Sequence, residues 1–175
     1  MRGLIHVYTG DGKGKTTAAV GLAMRAYGNE MKVCLVQFLK SAQSGEITTI
    51  KKLDGGFELK RGKTASKFVF QMNDEEKNQC KKEMNELFSS TVDSLDGDNT
   101  DLLILDEIFA AISTKMLEVN DIVNFLTTKP EKLEVVLTGR NAPPEIIDIA
   151  DYVMEIKSVK HPIDKGISAR KGIEF

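Results

Sequence analysis

The sequence has little cysteine and no tryptophan, and its cysteines are poorly placed for chemistry. Cys34 and Cys80 are the only two, and they are too far apart to form a C-x-x-C pair. This spacing argues against a disulfide framework and a zinc site, and it favours a reducing compartment. Cys34 lies in an apolar run and Cys80 on the apolar face of a predicted helix. We therefore predict that both are small core residues rather than nucleophiles.

A basic excess and long apolar runs are also missing. The 175 residues include 24 Lys and Arg against 26 Asp and Glu, a formal net charge of −2. A dedicated nucleic-acid binder usually carries a clear basic excess, so this balance argues against one. No apolar run approaches the roughly 20 residues that span a bilayer, and the run at 4–8 is too short for a signal peptide. We expect a cytoplasmic protein with neither nucleic-acid nor membrane partners, built as a single domain over residues 1–175.

Short apolar runs alternate with helical patterns along the chain. Runs at 4–8, 33–38, 102–105, 133–137 and 152–156 are predicted as strands, with a further brief strand at 57–59. Near-continuous apolar strands separated by helices indicate a mainly parallel sheet covered on both faces, which is a three-layer α/β/α fold. Such sheets bind ligands at the carboxyl ends of their strands, so the loops after the first four runs should share one rim.

The helices between these runs carry their own sequence signals. The first is predicted from Lys15 to Tyr27, where Gly28 ends it. Asn73 is predicted to cap the longest helix, because Glu76 follows at capping-box spacing and acidic residues fill the first turn. Further helices are predicted at 47–53, 119–127 and 144–150.

A glycine-rich segment between the first strand and the first helix has the pattern of a phosphate-binding loop. Its glycines allow backbone N–H groups to surround an anion, and the helix N-terminus adds its positive dipole end. Lys15 can bridge phosphate oxygens and the Thr16 hydroxyl can bind Mg²⁺. Thr9 stands where the strict pattern has glycine. The predicted ATP-binding residues of this loop are Thr9, Gly10, Asp11, Gly12, Lys13, Gly14, Lys15, Thr16 and Thr17.

Two carboxylates follow the buried strand at 102–105. Asp106 and Glu107 end that run, at the rim that should also hold the phosphate loop. Carboxylates in this position hold Mg²⁺ directly or through water, so Thr16, Asp106 and Glu107 are the predicted metal ligands. An N-K-x-D guanine motif is missing from the sequence, which favours ATP over GTP.

A set of motifs then resembles one family, the P-loop ATP:corrinoid adenosyltransferases. The family's loop shares the threonine at the first position, and the other motifs appear in this order over nearly the whole chain. They are the segments 36–40 (VQFLK), 105–107 (LDE), 137–140 (LTGR), 159–162 (VKHP) and 166–175 (GISARKGIEF).

The resemblance implies a RecA-like P-loop fold, a homodimer, and transfer of the 5′-deoxyadenosyl group of ATP to Co(I) of a reduced corrinoid. The substrate would be cobalamin or a precursor such as cobyrinic acid a,c-diamide, triphosphate would leave, and a flavoprotein or other reductase would supply electrons. Thr16 and Glu107 would carry Mg²⁺, and Lys15 would stabilise the leaving charge together with the metal. The family places an aromatic pair beside the corrin ring, here Phe68 and Phe70.

Several assignments keep an alternative. Phe68 and Phe70 also suit ordinary core packing, since alternate residues of a strand face one side. His161 could touch the corrinoid or a partner subunit, or be a solvated loop histidine. Arg140 follows a strand end at the ligand rim, where it could bind phosphate or a corrin amide, although a surface arginine is the plain alternative.

Two other functions compete with adenosyl transfer. A generic P-loop ATPase or small-molecule kinase would attack the γ-phosphate, with Glu107 positioning water or a substrate hydroxyl. A regulatory module would bind ATP or corrinoid without turnover. The products separate the three hypotheses: triphosphate, ADP with phosphate or a phosphorylated substrate, or neither.

Overall fold

The chain forms one parallel sheet between two layers of helices. The computed structural model describes residues 2–40, 43–53, 55–62, 67–95 and 99–174. The strands are β1 (Ile5–Thr9), β2 (Val33–Gln37), β3 (Phe57–Arg61), β4 (Leu102–Asp106), β5 (Glu134–Thr138) and β6 (Tyr152–Glu155). The helices are α1 (Lys15–Tyr27), α2 (Gly45–Ile50), α3 (Asp74–Asp93), α4 (Ile108–Ser113), α5 (Val119–Thr128) and α6 (Pro144–Ile147), with short 3-10 turns at Val69–Gln71 and Pro162–Lys165.

The strand order is β3-β2-β4-β5-β1-β6, and every pairing in it is parallel. β5 lies between β1, which leads into the phosphate loop, and β4, which ends in the acidic pair. Because all strands run the same way, their carboxyl ends meet at one edge of the sheet. The predicted α/β fold with a parallel sheet is confirmed.

Each face of the sheet has its own apolar core. Helix α1 packs on one face through Ala19, Ala23 and Ala26, whose small side chains let the helix lie close to the strands. Helices α3 to α6 cover the opposite face, where Phe109 and Met84 are fully buried. The strands are buried from both sides, which explains why they are nearly continuous apolar runs.

The capping box at the start of α3 is confirmed. The Glu76 backbone N–H donates to the Asn73 side chain at 2.8 Å, and the Asn73 N–H donates to the Glu76 carboxylate at 2.9 Å. Such a cap stabilises a helix by about 1 kcal/mol. Both cysteines are buried, as predicted, and burial raises the pKa of the Cys34 thiol to about 12.

The structure contains one helix that the sequence pattern did not predict, and it decides between the alternatives for Phe68 and Phe70. Helix α4, which starts directly after Glu107, was not predicted, because Ile108, Phe109 and Ala111 are all buried and leave little amphipathic pattern. Of the two alternatives for Phe68 and Phe70, core packing on a strand is excluded, since Val69–Gln71 is a 3-10 turn and both rings are exposed. No helix in the described ranges is long and apolar enough to cross a bilayer.

Candidate active site

The phosphate loop wraps around the side chain of Lys15. Its ammonium donates to the backbone carbonyls of Gly10 at 2.6 Å and Gly12 at 2.8 Å, and the side chain is only 8% exposed. Burial lowers the pKa of Lys15, and the nearby carboxylate of Glu107 opposes that shift. A buried ammonium held against two loop carbonyls is positioned to meet an anion that enters the loop.

Backbone geometry explains two of the loop glycines. Gly10 has φ 101° and Gly14 has φ 122°, a region that side chains with a Cβ rarely adopt. The chain after β6 also crosses the loop, where the Gly12 N–H donates to the Ile156 carbonyl at 2.7 Å. A Cβ on Gly10 would lie 2.4 Å from the same carbonyl oxygen. A Cβ on Gly12 would lie 2.8 Å from that oxygen, so the close approach of the chain at Ile156 requires glycine at both Gly10 and Gly12.

Thr9, which stands where the strict phosphate-loop pattern has glycine, uses its side chain in a hydrogen bond. Thr9 ends β1, and its hydroxyl accepts a hydrogen bond from the Ala142 N–H at 3.2 Å. A glycine could not make this bond. Thr9 therefore ties the loop after β5 to the start of the phosphate loop, and Arg140 lies in that loop.

Behind the phosphate loop, Asp106 is fully buried and accepts hydrogen bonds from four side chains, which we call the Asp106 cluster. Its Oδ1 accepts from the hydroxyls of Thr16 at 2.8 Å and Thr138 at 2.7 Å. Its Oδ2 accepts from Gln37 Nε2 at 3.0 Å and Lys40 Nζ at 2.8 Å. The four donors come from α1, the end of β5, the end of β2 and the loop after β2, so the parallel register brings them together.

Glu107 differs from its neighbour. It has φ 61°, a left-handed conformation that costs a non-glycine residue about 1 kcal/mol, and its N–H donates to the Thr138 hydroxyl at 3.0 Å. Its side chain is 29% exposed and lies 3.8 Å from Lys40 Nζ. The turn at Glu107 thus brings a second, accessible carboxylate to the rim beside the buried one.

The donor set at this rim fits a magnesium ion. Thr16, Asp106 and Glu107 offer hydroxyl and carboxylate oxygens, the ligands that Mg²⁺ prefers. A cation already sits on them, since the Lys40 ammonium donates to Thr16 Oγ1 at 2.9 Å and to Asp106 Oδ2. In the described ranges no three His, Cys, Asp or Glu side chains gather into a metal site. A metal here would therefore complete its shell with water and phosphate oxygens.

Comparison with known proteins identifies the family to which this site belongs. The model of the family "ATP:corrinoid adenosyltransferase BtuR/CobO/CobP" matches residues 1–175. The chain belongs to this family. A corrinoid adenosyltransferase of Escherichia coli K12 is 34% identical over 175 residues, covering 99% of this chain and 86% of that protein. One from Sinorhizobium is 35% identical over 180 residues, with 99% and 81% covered. The corrinoid adenosyltransferase CobA of Salmonella typhimurium LT2 is 33% identical over 175 residues.

The adenosyltransferase resemblance inferred from the motifs is thereby confirmed, and the structure places most of the motif residues at one edge. Arg140 Nε lies 3.9 Å from the Asp11 carboxylate, so the loop after β5 faces the phosphate loop across the rim. Both side chains are largely exposed, which leaves Arg140 accessible to a ligand.

The aromatic pair of this adenosyltransferase-family chain projects away from its core. Phe68 is 69% and Phe70 80% exposed, and the two rings stack with centroids 5.4 Å apart and planes 12° from parallel. Val69 packs against the core and Met72 is buried within it, so the turn itself is anchored while the rings point outward. Core packing is therefore excluded as the reason for this pair.

His161 and the C-terminal segment follow β6, the edge strand that pairs with β1. His161 Nδ1 accepts from the Ile163 N–H at 3.2 Å, so this histidine caps the 3-10 turn that follows it. Further on, Glu174 lies 3.5 Å from Lys13 of the phosphate loop and bonds to Arg170. These bonds lower the pKa of Glu174 to about 2, with the Arg170 hydrogen bond as the main cause.

Sequence reasoning missed three members of the Asp106 cluster as site residues. Gln37, Lys40 and Thr138 all lie within motifs that carried the family resemblance, but none was assigned a role. The available signal was position, because each ends or follows a strand at the ligand rim.

Proposed function

We propose that this protein transfers the 5′-deoxyadenosyl group of ATP to Co(I) of a corrinoid, either cobalamin or cobyrinic acid a,c-diamide, and releases triphosphate. The observation that carries the proposal is the full-length family match of a chain whose phosphate loop contacts the acidic end of β4 through Thr16 and Asp106. The reaction would serve adenosylcobalamin biosynthesis or salvage.

The chemistry needs alignment more than acid–base catalysis. The electron pair of Co(I) forms the bond to C5′, the C5′–O bond breaks, and its electron pair leaves with triphosphate. Cobalt is formally oxidised to Co(III), and no proton has to be removed from the nucleophile. The protein's task is to hold cobalt, C5′ and the leaving group in line and to stabilise the leaving charge.

We assign Lys15 and Glu107 to stabilising the negative charge that develops on the leaving triphosphate. Lys15 would shift from the loop carbonyls onto triphosphate oxygens, with Arg140 contributing from the opposite loop. Thr16, Asp106 and Glu107 would hold Mg²⁺, directly or through water, and the ion when bound would neutralise part of the triphosphate charge. Asp106 would orient Thr16 in this arrangement, because its two oxygens already accept four hydrogen bonds.

The exposed aromatic pair is our candidate for the corrinoid surface. Two stacked rings that stand clear of the core offer an apolar area to a large ligand. Covering one face of the corrin with Phe68 and Phe70 would exclude an axial ligand from cobalt and make Co(II) easier to reduce. His161 would border the same ligand. An external one-electron donor, a flavoprotein or another reductase, would supply Co(I).

We also propose a cytoplasmic homodimer. Strand β6 forms an edge of the sheet, and its apolar residues Tyr152, Val153 and Met154 are all exposed. An apolar edge strand of this kind is suited to being covered by a second copy of the chain. Sedimentation equilibrium should give twice the chain mass at micromolar concentration, and a monomer would contradict this part of the proposal.

An anaerobic assay tests the function directly. The protein would be incubated with ATP, Mg²⁺ and chemically reduced cobalamin or cobyrinic acid a,c-diamide. We expect the absorbance of a cobalt–carbon bond to appear together with triphosphate in equal amount, detected by phosphorus NMR. ADP with inorganic phosphate would instead indicate an ordinary ATPase or kinase, and binding without either product would indicate a regulatory module.

A further inference from the structure

Lys40 occupies the place that the proposed function assigns to a metal. Its Nζ lies 2.9 Å from Thr16 Oγ1, 2.8 Å from Asp106 Oδ2 and 3.8 Å from Glu107 Oε1. These three side chains are the ones we assign to Mg²⁺. One ammonium group therefore contacts every protein ligand of the proposed metal site.

The direction of the hydrogen bonds indicates that Lys40 and a metal ion would use the same oxygen lone pairs. Thr16 has one hydroxyl proton, which it donates to Asp106 Oδ1 at 2.8 Å. Lys40 must consequently face a lone pair of Thr16 Oγ1, because an ammonium group can only donate. A metal ion would use the lone pairs of the same oxygen. Two cations on this small group of oxygens repel each other, so metal binding is linked to movement of Lys40.

The backbone positions Lys40 for this contact. β2 ends at Gln37, which is paired in register with Asp106, and the Phe38 N–H donates to the Asp106 carbonyl at 3.0 Å. Phe38 is fully buried, and Leu39 then adopts φ 52°. A left-handed residue fixed behind a buried aromatic turns the chain, and this turn brings Lys40 to the acidic end of β4.

The Asp106 cluster can release Lys40 without losing its other bonds. Thr16, Thr138 and Gln37 are neutral donors that would continue to satisfy Asp106. Gln37 and Thr138 are buried, whereas 32% of the Lys40 side chain is accessible, so its ammonium can move toward the ligand rim. The Gln37 Oε1 atom is buried without a hydrogen-bond donor among the described residues. It could accept from a metal-bound water beside Asp106.

We propose that Lys40 is a tethered cation that occupies the metal position on Thr16 and Asp106 in the nucleotide-free protein and moves onto a triphosphate oxygen when Mg²⁺ and ATP enter. This inference rests on the proposed metal site and concerns the charge that replaces Mg²⁺ there. This role differs from that of Lys15, whose ammonium donates to the carbonyls of Gly10 and Gly12 in the phosphate loop itself. Lys40 thus keeps the acidic site neutralised before the substrate arrives.

Metal binding without nucleotide gives the first test. Lys40→Met and Lys40→Gln would be titrated with Mn²⁺ alone, with free Mn²⁺ measured by electron paramagnetic resonance. Removing the competing cation should tighten Mn²⁺ binding about tenfold, the size expected for loss of charge-assisted hydrogen bonds. Glutamine can still donate a hydrogen bond to Asp106. Lys40→Gln should therefore fold even if Lys40→Met is destabilised by its unpaired carboxylate. Lys40→Arg keeps the charge and should leave Mn²⁺ binding as weak as in the unaltered protein.

Tripolyphosphate at saturating Mn²⁺ gives the second test, because the proposal has Lys40 move onto a phosphate oxygen when the metal takes its place. Both neutral variants should bind it about tenfold more weakly, since each lacks one charged donor. Lys132→Met removes an exposed lysine at the amino-terminal edge of the sheet and should change neither affinity. A purely structural Lys40 would not tighten Mn²⁺ binding on removal. Unchanged or weakened Mn²⁺ binding in a neutral variant that melts as a folded protein would overturn the proposal, as would unchanged tripolyphosphate affinity.

These measurements are independent of the adenosyl-transfer assay. A protein that forms no cobalt–carbon bond would contradict the proposed function, while the Mn²⁺ and tripolyphosphate titrations would still test the exchange at Lys40. Conversely, an active enzyme whose neutral Lys40 variants bind Mn²⁺ no more tightly would retain the proposed function and lose this inference.

Discussion

The Asp106 cluster and the aromatic pair before α3 hold their side chains in opposite ways. Asp106 is fully buried and accepts four hydrogen bonds from residues far apart in the sequence. Phe68 and Phe70 are exposed, and their rings stack on each other. The nucleotide side of the site is therefore organised before any ligand binds, whereas the aromatic side depends on a ligand to cover it. This difference predicts that mutations affect stability and function separately in the two regions.

The largest effect is expected from Lys15→Ala on the nucleotide side. The change removes the buried ammonium at the centre of the phosphate loop, and ATP affinity should fall at least about 100-fold, because charge-assisted hydrogen bonds to phosphate are lost. Isothermal titration calorimetry measures this, and circular dichroism should show an intact fold. Lys82→Ala, on the exposed surface of α3, is the matched control. Near-native ATP affinity of the Lys15 variant would refute the phosphate-loop assignment.

Asp106→Asn should be the most destabilising change in the cluster. An amide group brings two donors to a place where four donors already converge, so some of them lose their acceptor. A buried polar group left without its partner typically costs about 1–3 kcal/mol, and several donors of this cluster would be affected together. Urea denaturation should therefore show a large loss in the free energy of unfolding. A stability within about 1 kcal/mol of the unaltered protein would contradict the central role of Asp106 in this cluster.

Much of the nucleotide side could be predicted from the sequence, because its residues are close together in short sequence motifs. Gly10 to Thr17 and the pair Asp106–Glu107 stand in short motifs whose strand-loop-helix context is readable without a structure. The contributions of Gln37 and Thr138 were not predictable, because they depend on which strands are neighbours. Their side chains meet Asp106 only through the order β2-β4-β5.

The aromatic side was harder to predict because its pattern is ambiguous. An aromatic-x-aromatic spacing fits a core-facing strand as well as an exposed turn. Only the packing of Val69 and the burial of Met72 show that the turn is anchored with Phe68 and Phe70 outward. Helix α4 was missed for the opposite reason, since its residues are buried on most sides.

Glu107→Gln tests whether the adjacent carboxylates Asp106 and Glu107 have different roles, one in stability and the other in metal binding. The Glu107 carboxylate is partly exposed and accepts no hydrogen bond from the residues that the structure describes, so its substitution should leave stability nearly unchanged. The neutral amide should nevertheless weaken metal binding, and turnover should need about tenfold more Mg²⁺ if one charged ligand is lost. A magnesium titration of the initial rate measures the shift. An identical magnesium dependence would remove Glu107 from the proposed metal site.

Replacing Phe68 or Phe70 by alanine should lower the reaction rates measured in two assays to different extents. If the rings exclude an axial ligand from cobalt, the rate starting from Co(II) and a biological reductant should fall more than the rate with chemically generated Co(I). The melting temperature should stay the same, because the rings are exposed. Phe109→Ala is the contrasting control, since it is buried and should cost about 3–5 kcal/mol. Equal losses in both assays would contradict a role in reduction.

The smallest effect is expected from Glu174→Gln, which loosens the C-terminal segment from the phosphate loop. The Glu174 carboxylate accepts the Arg170 N–H at 2.7 Å and lies 3.5 Å from Lys13, and its pKa is lowered to about 2. A depressed pKa means that the interaction is complete above the ordinary value near 4.5 and is lost as the pH falls from there toward 2. Between pH 5 and 8 the unaltered protein should therefore show constant amide protection at Arg170, after correction for intrinsic exchange. The variant should show lower protection at Arg170 in hydrogen exchange. The melting temperature should stay nearly unchanged, because 58% of the Arg170 side chain is exposed and ion pairs with an exposed partner contribute little to stability. Equal protection in both proteins would mean that the backbone turn alone holds this segment beside the phosphate loop.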